Sequence, residues 1–246
     1  MDRMLYIAMS GAKETMLQQE NTTNNLANAN TVGFKRSLEA FKAVPVDGPG
    51  YASRVYTQDQ GIGTDFSSGP MVSTGNPLDI AVKGQGWIAV QGPNGREAYT
   101  RAGQLKIDGN GILTTSQGYP VMGSSGPISI PPSDKIDIGS DGTITVRPNG
   151  QQPNALAVVD RIKLVNPPES TLVKGASGLM QTRNGAPVPA DANVNVETGM
   201  VEGSNVNTVE SMVHMISLAR QYELQVKTMK TAEQNDQASA QLIRLG

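Results

Sequence analysis

A chain of 246 residues with a single histidine and no cysteine offers little from which to build an active site. The histidine is His214, in a stretch of helical periodicity where it reads as a surface or interface residue rather than a member of a Ser-His-Asp, Cys-His or multi-histidine metal site. Asp134, Asp137 and Asp141 are oxygen ligands of the kind calcium takes. Their spacing departs from an EF-hand loop, and solvated turn aspartates account for them. A carboxylate pair for glycoside hydrolysis could be any two of 22 acidic residues, so it points nowhere in particular. Asn21-Thr22-Thr23 spells a glycosylation acceptor, but inside a predicted helix. Trp87 and Tyr99 could stack a sugar, although both fall on predicted strands where a core role serves as well. Phosphate-binding glycine loops and a Gly-x-Ser-x-Gly elbow are absent. The expectation is a chain with no catalytic residue, no cofactor and no metal.

The elements that would position such residues instead describe a carrier. Helical spacing over about Arg3 to Ala27 puts Leu5, Met9, Ala12, Met16, Thr23 and Leu26 on one stripe. A longer helix is predicted over about Thr208 to Leu245, with Val209, Met212, Ile216, Ala219, Val226, Met229, Ala240 and Ile243 near one seam. The two helices could simply pair with each other. However, a seam of Ala, Met, Thr and Gln offers few large apolar knobs, so neighbouring molecules are expected to cover these faces. Leu5, Met9, Ala12, Met16, Leu26, Val209, Met212, Ile216, Ala219, Val226, Met229 and Ile243 form the expected assembly interface.

Between the helices the chain is rich in turns, with 27 Gly and 15 Pro in the whole sequence. Residues 31–77 and 166–207 read as an extended connector, with a short helix around Ser37 to Ala43 and a strand pair near Leu179 to Thr182 and Val194 to Val201. Residues 78–165 read as an all-β domain of short strands separated by Asp-Gly and Asn-Gly turns. The fold class is therefore mixed α and β: a discontinuous coiled-coil stem, 1–30 and 208–246, around a central domain of short antiparallel strands. A net charge of −2 with dispersed Lys and Arg argues against nucleic acid. Neither a signal peptide nor a membrane span is expected.

Three ordered segments carry a family resemblance. Asn24-Asn25-Leu26-Ala27-Asn28-Ala29-Asn30-Thr31-Val32-Gly33-Phe34-Lys35 resembles the N-terminal signature of bacterial flagellar basal-body rod and hook proteins. Asn76 to Trp87, then Ala98 to Gly103, is similar to the start of that family's β-domain, and Glu202 to Asn207 followed by Met212 to Glu223 to its C-terminal signature. Ala43 to Gly48 and the short connector look most like the proximal-rod branch, with the distal-rod branch as the alternative. The resemblance implies a structural rod subunit whose terminal helices pack with copies of itself and with other rod subunits. It also implies passage through the flagellar type III export apparatus, torque transmission, and termini that order only on assembly. Asn24, Asn25, Leu26, Ala27, Asn28, Asn30, Gly33, Phe34 and Lys35 are expected to form the elbow between stem and β-domain. An envelope polysaccharide-binding enzyme and a coiled-coil adaptor are the rival classes.

Overall fold

The computed structural model describes residues 3–45, 55–148 and 156–245. Two compact units emerge, one from 1–29, 37–65 and 206–246, the other from 30–36 and 66–205. The stretches read from sequence as connector are thus divided between the units.

In the first unit, α1 (Arg3–Ala27) and α2 (Thr208–Leu245) are close to the predicted helices. Their apolar periodicity runs without an internal proline, and α2 begins under a cap: Asn207 Oδ1 accepts the backbone N–H groups of Val209 and Glu210 at 3.1 and 3.2 Å. The helices pair closely, with small residues on the buried side of α1 and one large residue, Leu218, on that of α2. Ala8, Ala12, Thr15 and Thr22 are buried on α1 and Leu218 and Ala232 on α2, and a Cβ at Gly11 would lie 3.0 Å from the Gln225 amide.

The same unit contains an antiparallel hairpin of β1 (Ser37–Pro45) and β2 (Val55–Thr64), running from Ser37 opposite Thr64 to Pro45 opposite Val55. The short helix expected at Ser37 to Ala43 is therefore a strand. Its Leu, Glu, Ala and Lys residues favour helix locally, but Asn25 takes both backbone groups of Ser37, each at 2.9 Å. The following residues find their backbone partners in β2. Val46 to Gly48, part of the branch-like segment, lie outside the described residues.

The second unit consists of β3 (Met71–Ser73), β4 (Ile80–Lys83), β5 (Trp87–Gln91), β6 (Glu97–Thr100), β7 (Leu105–Ile107), β8 (Leu113–Thr115), β9 (Ser133–Ile138), β10 (Thr143–Pro148), β11 (Ala157–Arg161), β12 (Leu164–Val165), β13 (Leu172–Lys174), β14 (Met180–Thr182), β15 (Asn195–Thr198) and β16 (Met200–Glu202). A five-stranded sheet runs β12-β5-β6-β14-β13, and a three-stranded one β11-β10-β9. β4 pairs with β15, and β3 with β16, so strands that open the unit are completed by strands near its end.

Both faces of β5 are covered. With a side-chain period of two, Ile88 and Val90 enter a large core with Ile80, Leu113, Val121 and Ile144, while Trp87 and Ala89 enter a second with Tyr99, Val165 and Met180. A strand buried on both faces has no reason to alternate apolar with polar residues. The expected pairing of 179–182 with 194–201 is not found. Met180 pairs with Tyr99 and with Lys174, which places β14 inside the five-stranded sheet.

Candidate functional site

Glu202 ends β16 with its side chain 0% exposed, so its charge must be met by the protein. Its two oxygens divide the task. Oε2 accepts from Arg101 Nη1 at 2.9 Å, while Oε1 accepts from Lys35 Nζ at 2.6 Å and from the Gly69 N–H at 3.0 Å. Arg101 follows β6, donates through Nη2 to the Gly84 carbonyl at 2.7 Å, and holds its guanidinium 5.4 Å from the centre of the Trp87 ring. Lys35 also donates to the Ser67 carbonyl at 2.7 Å.

Backbone geometry brings Lys35 to this carboxylate. Gly33 has φ +69°, and a Cβ there would lie 2.2 Å from the Ala102 nitrogen and 2.3 Å from the Arg101 carbonyl carbon. Only glycine permits both that turn and that approach. The Gly33 N–H donates to the Glu202 carbonyl at 2.7 Å. Lys174 closes the arrangement, donating to the Lys35 carbonyl at 2.8 Å with its ammonium 3.9 Å from the Phe34 ring centre, and burial lowers its pKa to about 8. Asn205 Oδ1 accepts the Arg36 N–H at 2.7 Å. Three stretches at which the second unit joins the first in sequence, 30–36, 66–69 and 202–205, are thus tied at one buried carboxylate.

The elbow residues serve two places. Asn25 anchors Ser37 within the first unit, and Asn28 caps the end of α1 through the Asn24 carbonyl. Gly33, Phe34 and Lys35 belong to the second unit. Arg101, Lys174 and Glu202 were not expected as site residues. For Arg101 and Glu202 the signal was a charged residue inside a motif, visible only once the fold brings the motifs together, whereas Lys174 lies outside the three motifs.

The rival chemistries lose their footing. Trp87 and Tyr99 are 5% and 1% exposed, and the Tyr99 hydroxyl accepts the Val188 N–H, so neither presents a face to a sugar. Asp137 pairs with Lys135 at 2.8 Å, while Asp141 is bonded by Thr143, which holds its carboxyl below the usual range. Among the described residues no group of three His, Cys, Asp or Glu could hold a metal ion. No described helix is long and apolar enough to cross a membrane.

Comparison with known proteins puts these segments in a family. Family models described as flagella basal body rod protein, flagellar hook protein FlgE/F/G D1 domain and flagellar basal body rod FlgEFG protein C-terminal match residues 5–35, 81–146 and 197–242. The chain is 39% identical to the flagellar basal-body rod protein FlgF of Salmonella typhimurium and 40% to that of Escherichia coli, over the whole of both chains. It belongs to the flagellar basal-body rod family. A rod protein FlgG of Buchnera aphidicola is 32% identical over 97% of this chain and 98% of its own, so the chain is a FlgF-like member. Each of the three segments matched by the rod-family models contributes one charge to the triad: Lys35, Arg101 and Glu202.

On this rod-family stem the expected interface residues separate. Ala12 is buried in the pairing of α1 with α2, and Leu5, Leu26, Ala219, Val226 and Met229 are partly covered. Met9, Met16, Val209, Met212 and Ile216 stay exposed. Ile243 lies in α2, but its side chain falls outside the described residues.

Proposed function

We propose that this chain is a structural subunit of the proximal part of the flagellar rod, polymerising helically with copies of itself and with other rod proteins and carrying torque toward the hook. The observation that carries the reading is on α2. Val209, Met212, Val213 and Ile216 are 70%, 53%, 63% and 56% exposed, a run of large apolar side chains that pairing with α1 leaves in water. Such patches on soluble proteins mark contact surfaces, and a heterologous contact that does not close a ring gives a helical filament. The full-length likeness to proteins named as basal-body rod proteins supports the same reading.

Within it, the residues exposed on α1 and α2 are the interface, the stem orders fully on assembly, and the β unit faces away from the rod axis. The subunit reaches the periplasmic rod through the flagellar type III export apparatus. It catalyses no reaction. Ile216→Glu, placed in a strain lacking the native gene, tests the reading: motility is lost while the purified variant unfolds like the parent. Normal swimming would overturn it.

A further inference from the structure

The two cations on Glu202 are not equivalent. Arg101 is held entirely from within 66–205: by Glu202 Oε2, by the carbonyls of Val82 and Gly84, and by the Trp87 ring. Lys35 arrives on residues 30–36, a segment that contributes no strand to any sheet. Its links to the unit include Gly33 N–H to Glu202, Lys35 to Glu202 and Ser67, Arg36 N–H to Asn205, the Asn205 N–H to the Phe34 carbonyl, and Lys174 to the Lys35 carbonyl and over the Phe34 ring, all of them side-chain or single backbone contacts rather than a strand ladder. Without Lys35, Glu202 retains a full counter-charge in Arg101 and a backbone donor in Gly69.

We propose that residues 30–36 form a releasable latch: the β unit folds around the Arg101–Glu202 pair, and Lys35 docks into a socket already built from Glu202 Oε1 and the Ser67 carbonyl. An undocked Lys35 returns its ammonium to water, and the carboxylate left behind remains neutralised. The opening is therefore local, of the kind that proteins make below their global unfolding energy. Arg101 has no such freedom, because its withdrawal strips Glu202 of its internal partner and leaves two backbone carbonyls unmet. The latch is the segment joining α1 to β1, seated on a fixed mount, and it does not depend on which neighbours the stem meets.

Hydrogen exchange on the full chain separates the two cations. With Lys35→Met, the amides of Gly33 and Arg36 exchange at least about tenfold faster while those of Ala89, Leu113 and Val121 in the β unit keep their rates. Gly33→Val, which forces the segment off Arg101 and Ala102 by its Cβ, gives the same pattern. Arg101→Met accelerates both sets. The proposal is overturned if Lys35→Met speeds the sheet amides as much as the elbow, if it leaves the elbow unchanged, or if the β unit fails to fold without Lys35.

Discussion

Replacing Glu202 by Gln keeps the shape of the side chain and removes its charge, so the cost is electrostatic. The variant leaves Arg101, with a side chain 5% exposed, facing an amide whose single oxygen must serve where two carboxylate oxygens did. Removing one partner of a buried ion pair costs about 3–5 kcal/mol. Lys35 can withdraw to water through the latch and Arg101 cannot, which places the loss near the lower end, about 3 kcal/mol. With a urea dependence of about 2 kcal/mol per molar, the unfolding midpoint falls by roughly 1.5 M. The sole tryptophan, Trp87, sits 5.4 Å from the Arg101 guanidinium, so its fluorescence reports the unit that holds the triad. Lys135→Ala provides the comparison: that pair is 60% and 42% exposed, and its removal costs below about 1 kcal/mol. If Glu202→Gln shifts the midpoint no more than Lys135→Ala does, the triad does not stabilise the unit and the reasoning fails.

Asn25→Ala removes the two 2.9 Å bonds to the backbone of Ser37; at roughly 0.5–1.5 kcal/mol for each bond, the stem unit loses about 1–3 kcal/mol, measured from the helical circular dichroism during urea unfolding. The β unit gains stability as pH rises from 8 toward 10, because the unfolded Lys174 still binds a proton that the buried one has released. Above 10 it loses stability, since burial pushes the Tyr99 hydroxyl well above the ordinary tyrosine range and only the unfolded chain ionises. Unfolding midpoints between pH 7 and 11 trace that maximum, and Lys174→Met flattens its rising limb. Met212→Glu matches Ile216→Glu in abolishing motility, with no change in the unfolding midpoint read at Trp87.

Periodicity and turn chemistry made part of this legible. α1 and α2 follow a helical repeat that no internal proline breaks, and Asp108 to Gly111 spells the turn that joins β7 to β8. Partner choice was not legible. β3 finds β16 and β4 finds β15 across roughly half the chain, and short strands carry too little pattern to name their mates. Ser37 to Ala43 read as helix because its side chains favour one, whereas the decision lay with Asn25 and β2. The elbow was visible in Gly33 and its asparagines. Its partners were hidden because Lys35 and Arg101 lie 167 and 101 residues from Glu202 in sequence, and spacing has no meaning at that range.

Because residues 33 and 202 are hydrogen-bonded and Lys35 grips the same glutamate, the chain between them forms a closed circuit with a short neck. Three stretches that carry the chain to and from the first unit, 30–36, 66–69 and 202–205, meet at that neck, so a load entering by any of them falls first on ion-pair and hydrogen-bond contacts that can re-form without refolding a strand. Insertions in the loops between 74 and 199 would lengthen the circuit without altering the neck, leaving the size of the β unit free to change while the stem stays as it is.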